Sequence, residues 1–423
     1  MLSLENIVRN PQKTRSALIR RGEDPPIDQI LQLDLQRKSL IQAADAERAL
    51  RNTVSKTIGR EKRKPTPKEI TEMRETGDRI KSYEDDLQSV LTEMNAILLS
   101  LPNIPLEDVP DGMDEESNVI VRTSVGDTPS HGNAHWDVAP MLGILDLEAG
   151  ASIAGARFFV LKGKGAKLQR ALAAWMLDVQ TEEHGYTEID PPLLVRPETM
   201  TGSGNLPKFK DNLYRDDESD LWLIPTAEVA LNGLHQGQII DPGRLPLKYV
   251  AQTPSFRKEH ASAGRDVRGI KRVHQFEKVE MFRYVEPEDS EAALEEMVQE
   301  AEGLCKRLNL THRVLELCAG DIGFQSAKTY DIEVWSAGSG EWLEVSSIST
   351  CTDFQARRND TRYRPEIGVS TKFPHTLNGS GLALPRIWIA IIENGLQTDG
   401  SVVIPDELVP YTGWDRIEPG AEK

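Results

Sequence analysis

Five residues with side chains suited to gripping a charged ligand, Arg257, Glu259, Arg272, Phe276 and Glu280, fall in two stretches of alternating pattern. These are Val250 to Glu259 and Arg272 to Tyr284, and they flank a segment rich in Gly, Ala and Arg. Such a pattern is how a β-hairpin with a long loop is written. Side chains alternate across a strand, so Arg257 is expected to share a face with Glu259, and Arg272 with Phe276 and Glu280. Two guanidiniums, two carboxylates and an aromatic ring suit an anionic ligand with a flat ring and a cationic end: Arg for phosphate, Phe for stacking, Glu for an ammonium or hydroxyl. ATP together with an amino acid has those features. Taken singly, each charge reads first as a cross-strand ion pair on a solvated hairpin; as a set, the spacing favours a ligand.

Other stretches carry weaker signals. In Ile224-Pro225-Thr226-Ala227-Glu228 a hydroxyl and a carboxylate end a short apolar strand, and a substrate role competes with simple helix capping. Glu341 to Ser347 alternates as a strand, with Leu343, Val345 and Ser347 expected on one face and Glu344 and Ser346 on the other. Glu344 is a candidate ligand for Mg²⁺, a hard cation often shared with substrate phosphates, or else an exposed edge carboxylate. Thr376 to Arg386 reads as a glycine-rich turn entering the helical run Ile387 to Leu396, which puts Arg386 where the helix dipole repels a cation unless an anion is near. Thr201-Gly202-Ser203-Gly204 lacks the Gly-Lys-Ser/Thr ending of a phosphate loop and reads as a flexible loop. His131 and His135 lack a helical His-Glu-x-x-His frame and read as loop or surface histidines. Residues 111 to 160 read as irregular.

The elements that position these groups follow an N-terminal arm. Asn10-Pro11 starts a short helix that Gly22 closes. A 3-4 spacing then runs through Ile30, Leu33, Arg37, Leu40, Ala44, Glu47, Arg51, Val54 and Ile58. It resumes at Met73, Thr76, Ile80, Tyr83, Leu87, Val90, Met94, Ile97 and Leu101. Pro65-Thr66-Pro67 cannot be helix interior, so two antiparallel helices over about residues 27 to 100 are expected, each extending about 45 Å at 1.5 Å per residue. Near the turn Arg51, Lys56, Arg60, Lys62, Arg63, Lys64 and Lys68 face only Glu61. That cluster either keeps a coiled-coil tip soluble or grips a nucleic-acid backbone. The proline-rich stretch Leu101 to Pro110 is the linker, dividing the chain into an arm, 1–108, and a body, 109–423.

The composition of the 423-residue chain is ordinary, with 39% hydrophobic and 28% charged residues. A net charge of −17 argues against unselective nucleic-acid binding except where positive charge gathers locally. The N-terminus lacks an apolar stretch long enough for a signal peptide and no apolar run would span a bilayer, so a cytoplasmic protein is expected. Cys305, Cys318 and Cys351 are too few and scattered for a disulfide framework or zinc site and read as buried thiols.

The motifs converge on one family. TPSFRKE (253–259) and RVHQFEKVEM (272–281), TLNGSGLALPR (376–386), IPTAE (224–228), CTDFQARR (351–358) and EVSS (344–347) together resemble the bacterial-type seryl-tRNA synthetases, class II aminoacyl-tRNA synthetases, over essentially the whole chain. The resemblance implies an α+β fold, an antiparallel sheet flanked by helices, with a coiled-coil arm laid on the variable arm of tRNA. It implies ATP contacts from Arg257, Lys258, Glu259, Val273, Phe276, Glu344, Val345, Ser346, Ser347 and Arg386. Phe276 would stack on adenine, Arg257 would contact the α-phosphate and Arg386 the γ-phosphate, while Glu344 and Ser347 would hold Mg²⁺. Thr226, Ala227, Glu228, Arg257, Glu280 and Ser380 would enclose serine, and Arg272 would act at the reacting centre beside Arg257 and Arg386. Arg51, Lys56, Arg60, Lys62, Arg63 and Lys64 would contact tRNA(Ser), with tRNA(Sec) a further expected substrate. Pro192 matches a proline that lies at a homodimer interface in the family. The family usually has Phe-Arg-Ser-Glu-Ala-Gly where this chain has Lys258 and His260. No cysteine and histidine set matches the zinc-dependent archaeal variant, so no zinc is expected.

The chemistry agrees with the resemblance. A serine carboxylate is already nucleophilic, so its attack on an α-phosphate needs alignment and charge neutralisation rather than a general base. A synthetase-like enzyme charging a carrier protein would lack the long arm. A catalytically silent RNA-binding relative would be expected to lack Arg257, Glu344 or Arg386, and all three are present.

Overall fold

The computed structural model describes residues 1–124, 126–259 and 268–420. They form two compact units: Leu2–Ile19 with Glu23–Leu101, and Pro102 onward together with Met1 and Arg20–Gly22.

The first unit is helical throughout. Two short helices, α1 (Leu4–Arg9) and α2 (Pro11–Ile19), precede two of 34 residues each, α3 (Ile27–Arg60) and α4 (Pro67–Ser100). Asn10 thus ends one helix as well as starting the next. Every residue of the 3-4 pattern except Arg51 is buried or half-buried, which makes that pattern the seam between α3 and α4. The turn is fixed by Thr66, whose hydroxyl accepts from the Glu69 backbone while the Glu69 carboxylate accepts from the Thr66 backbone, with Pro67 in the first turn. Beyond Ala44 in α3 and before Thr76 in α4, no residue of either helix is buried. Cross-helix ion pairs, Arg48–Glu84 at 2.6 Å and Arg79–Glu47 at 2.9 Å, join α3 just past Ala44 to α4 just past Thr76.

The second unit is built on an eight-stranded sheet. Its strands in chain order are β1 (Val119–Thr123), β2 (Thr187–Glu188), β3 (Leu247–Phe256), β4 (Gln275–Val285), β5 (His312–Glu316), β6 (Lys328–Ser336), β7 (Glu341–Thr352) and β8 (His375–Ala383). The spatial order is β1-β5-β6-β7-β8-β4-β3-β2, antiparallel at every pairing except β2 with β3. Helices α5 (His135–Met141), α6 (Gly163–Asp178), α7 (Ser290–Arg307) and α8 (Leu384–Asn394) contribute to the apolar core with Val279, Met281, Val345 and Ile348 of the sheet. Arg283 of β4 is buried beneath the sheet, bonded to Tyr186 at 2.7 Å and paired with Glu300 at 2.6 Å, so its charge is fully compensated. No described helix is long and apolar enough to cross a membrane.

Three local expectations change. Residues 111–160 are not irregular: they hold β1, α5 and the helix Leu147–Ala154. Thr201–Ser203 is the end of a helix, Pro197–Ser203, closed by Gly204 at φ 98°, a backbone state glycine adopts without strain. Thr376–Ala383 is no turn but most of central strand β8, which passes into α8 without an intervening residue. Its glycines serve close packing, since a Cβ on Gly379 would come within 2.8 Å of Ile348.

Candidate active site

β3 and β4 pair from Leu247–Tyr284 to Phe256–Gln275, and the Arg257 N–H continues the ladder by one bond to His274 O. The hairpin is therefore present, but Arg257, Lys258, Glu259, Arg272 and Val273 lie beyond its strands. Glu259, at φ 49°, is in a left-handed conformation, so it does not share a strand face with Arg257. Both nevertheless reach one cavity of about 330 Å³, whose walls include Arg257, Glu259, Arg272, Val273, Phe276 and Glu280 from the hairpin. Thr226 and Glu228, Glu344, Val345 and Ser347, and Ser380 and Arg386 of the predicted set also line it.

Glu344 and Ser347 arrive on one wall by a route that alternation does not give. Asp331 faces Ser347 and Ile332 faces Ser346, but Glu333 faces Glu344, leaving Val345 as an extra residue. This bulge shifts the pleat, so Ser347 does not side with Leu343 and Val345 as expected. Ser346 instead is buried and donates to Ser380 O at 2.6 Å. A second irregularity beside Gly381 sets Glu280 opposite Ser380, bringing both to the same end of the cavity.

The cavity has two chemically different ends. At one, Arg386 donates to Glu344 O at 2.6 Å and pairs with its carboxylate at 3.0 Å, while the Arg257 guanidinium lies 5.2 Å from the Phe276 ring centre. Enclosure raises the Glu344 pKa, but Arg386, Arg257 and Arg272 outweigh it and hold the carboxyl below its usual range. At the other end Glu228 is almost wholly buried. Its Oε1 accepts from the side-chain amides of Gln355 at 2.7 Å, Asn378 at 3.2 Å and Gln325 at 3.3 Å. Burial, reinforced by the nearby Glu280, pushes Glu228 up to about 7. The Thr226 hydroxyl both accepts from the Glu228 N–H at 3.3 Å and lines the cavity, so capping and ligand-facing roles coexist.

Other predicted residues lie elsewhere. Ala227 is buried in the core, and Lys258 points its ammonium at Tyr214, 5.7 Å from the ring centre. His260 falls outside the described residues. Lys271, Lys278, Gln325, Ser349 and Asn378 line the cavity without having been anticipated. Asn378 and the buried Gln355 belong to recognised motifs, but an uncharged amide has no spacing signature that marks it as a site residue. His135 is not a surface histidine but is buried at the start of α5.

The oxygen set beside Glu344 fits a hard divalent cation. Asp331, opposite Ser347, has a buried Oδ1 without a hydrogen-bond partner, and burial with repulsion from Glu344 pushes its carboxyl well above the usual range. A cation would relieve both.

A family model described as tRNA synthetase class II core domain (G, H, P, S and T) matches residues 208–395, the span that contains the whole cavity lining. Residues 208–395 thus form a class II aminoacyl-tRNA synthetase core. A second model, described as seryl-tRNA synthetase N-terminal domain, matches residues 1–105. The serine–tRNA ligase of Thermomicrobium roseum is 51% identical over 98% of this chain and 94% of its own length; that of Chloroflexus aurantiacus is 49% identical over 99% and 100%. The seryl-tRNA synthetase of Pyrococcus horikoshii, solved in complex with ATP, superposes with a TM-score of 0.92 at 36% identity, covering 99% of this chain and 100% of its own. The chain belongs to the seryl-tRNA synthetase family, the class II serine–tRNA ligases.

Proposed function

We propose that the protein activates L-serine with ATP, releasing pyrophosphate, and transfers serine from the adenylate to the 3′ end of tRNA(Ser) and of tRNA(Sec). The observation that carries this is the two-ended cavity: three arginines at one end, a buried carboxylate held by amides at the other. Arg257 would neutralise the α-phosphate and the serine carboxylate, with Arg272 beside it at the reacting centre and Arg386 on the γ-phosphate. Phe276 would stack on adenine, with Glu259 and the Val273 backbone alongside. Glu228, Glu280, Thr226 and Ser380 would take the ammonium and hydroxyl, and an analogue without the hydroxyl would leave buried polar groups unpaired. Glu344 and Ser347 would hold Mg²⁺, which when bound supplies positive charge to the phosphate oxygens. Attack then needs alignment of carboxylate and phosphorus more than proton transfer.

Residues 109–423 would carry out both steps and residues 1–108 would grip tRNA through Arg51, Lys56, Arg60, Lys62 and Lys64. These side chains are exposed or near the tip of the arm and none has an ion-pair partner among the described pairs. Arg63 is different: its guanidinium is clasped by Glu61 and Glu69, each at 2.6 Å, and its first task is to fasten the turn. A cytoplasmic homodimer with Pro192 at its interface completes the reading. ATP–pyrophosphate exchange measured across the twenty amino acids tests it: serine alone is expected to support exchange, and equal exchange with threonine or alanine would refute the specificity.

A further inference from the structure

Behind the cavity lies a buried polar knot built on His135 and Glu393, neither of which lines the cavity. Glu393 Oε1 accepts from the His135 backbone N–H and from its ring Nδ1, both at 2.8 Å. Glu393 Oε2 accepts from Ser336 Oγ at 2.5 Å, Ser339 N at 2.8 Å and Ser339 Oγ at 3.1 Å. On the far side of the imidazole, the Ile270 backbone N–H meets Nε2 at 3.1 Å. A peptide N–H can only donate, so Nε2 must be the acceptor and the ring proton sits on Nδ1, facing Glu393. Burial opposes charge on Glu393, yet its hydrogen bonds from His135, Ser336 and Ser339 hold the carboxyl down at about 2, keeping it an acceptor. The packing admits no side chain at two neighbouring positions. A Cβ on Gly269 would lie 2.0 Å from His135 Nε2, and one on Gly338 2.7 Å from Glu393 Cδ.

Each segment tied into this knot leads directly to the cavity wall. Ile270 immediately precedes Lys271, Arg272 and Val273; Ser336 to Gly340 joins β6 to β7, which carries Glu344 and Ser347; α8 carries Arg386 in its first turn and Glu393 in its last. We propose that His135 is a positioning residue for serine activation: its Nδ1-protonated ring ties the returning limb of the hairpin loop, at Ile270, to Glu393 and so holds Lys271 and Arg272 in the cavity wall. The proposal rests on the role given to Arg272 above. A displacement of about 1 Å in a reacting group costs on the order of a hundredfold in rate, so a single lost anchor two residues from Arg272 is felt in turnover.

Two substitutions separate the halves of the clamp. His135→Asn keeps a donor where Nδ1 stood but has nothing to accept from Ile270; His135→Gln places an oxygen near the Nε2 position and gives up the donor to Glu393. The expected result is that His135→Asn lowers kcat for serine-dependent pyrophosphate exchange at least about tenfold with serine KM within about twofold, and speeds amide hydrogen exchange at Ile270. His135→Gln stays tied to Glu393 through the backbone N–H of residue 135, which donates to Glu393 Oε1 at 2.8 Å, and is expected to restore kcat to within about threefold of the parent and Ile270 protection with it. His312→Gln is the control, since His312 is equally buried, bonded to Leu310 O and Glu302, and does not line the cavity. It is expected to lower Tm without changing kcat or Ile270 exchange. Unchanged kcat in His135→Asn, or equal losses in both His135 variants with no change at Ile270, would overturn the proposal. Arg272→Ala, measured alongside, keeps the two readings apart: an active Arg272→Ala removes the role of Arg272, whereas an inactive Arg272→Ala beside a fully active His135→Asn removes the clamp alone.

Discussion

Glu69 and Glu228 each stand in the first turn of a helix and each accepts several hydrogen bonds, one in the arm and one in the catalytic body. Their acidities nevertheless move in opposite directions. Glu69, half-buried at the arm's turn, is held down to about 2 by the Arg63 guanidinium and by Thr66. Glu228, cut off from water and near a second carboxylate, is pushed up to about 7 despite its amide donors. The difference shows what each region is built to do. The arm keeps its shape by local pairs that hold in water, along helices with no buried residue near the tip. The body keeps a carboxylate poised between charged and neutral because it stands inside a core.

The contrast can be broken at its strongest point by Arg257→Ala. Exchange of pyrophosphate into ATP is expected to fall on the order of a thousandfold while Tm and the arm's helicity are retained, since charge held in place at the phosphate lowers the barrier more than any other single effect in such a site. Near-normal exchange would remove Arg257 from the chemistry. Deleting residues 30–100 tests the other region: tRNA charging is expected to drop on the order of a hundredfold at physiological salt with exchange spared, and parallel loss of both would show that the regions do not divide the work.

The pH dependence sharpens the contrast further. With its pKa at about 7, empty-site Glu228 carries a proton at lower pH, and in the role proposed for it that proton must leave before the carboxylate can pair with the serine ammonium. Serine KM is therefore expected to be flat above about pH 7 and to rise towards tenfold per unit below it, as measured by exchange at fixed ATP. A KM that stays constant from well below pH 7 to above it would contradict this. The smallest effect is at the tip. Lys62→Ala with Lys64→Ala is expected to weaken tRNA binding severalfold and to reduce its salt slope by about one to two, while exchange is unchanged.

How much of this is legible in the sequence follows from how local each signal is. The arm is readable because a helical 3-4 spacing kept up over two long segments has one structural meaning, and Pro65-Thr66-Pro67 marks its turn. The hairpin is readable for the same reason with period two. Alternation misplaces Glu344 and Ser347, because the bulge at Val345 leaves no mark in a pattern read residue by residue. β8 reads as a turn because Gly379 and Gly381 usually signal flexibility, whereas here they let strands approach closely. His135 gives no signal at all: what makes it informative is Ile270 and Glu393, far away in the chain.

The fusion of β8 to α8 has one more consequence. Ser380, at the carboxylate-rich end of the cavity, and Arg386, at the arginine-rich end, sit on one unbroken piece of backbone that is strand up to Ala383 and helix from Leu384. The span between the two ends is thus set within one continuous segment, which also carries the irregularity beside Gly381. Inserting one residue at the joint would swing Arg386 by about 100° around the helix axis and leave Ser380 where it is, so that the two grips proposed for them would no longer fit one reactant.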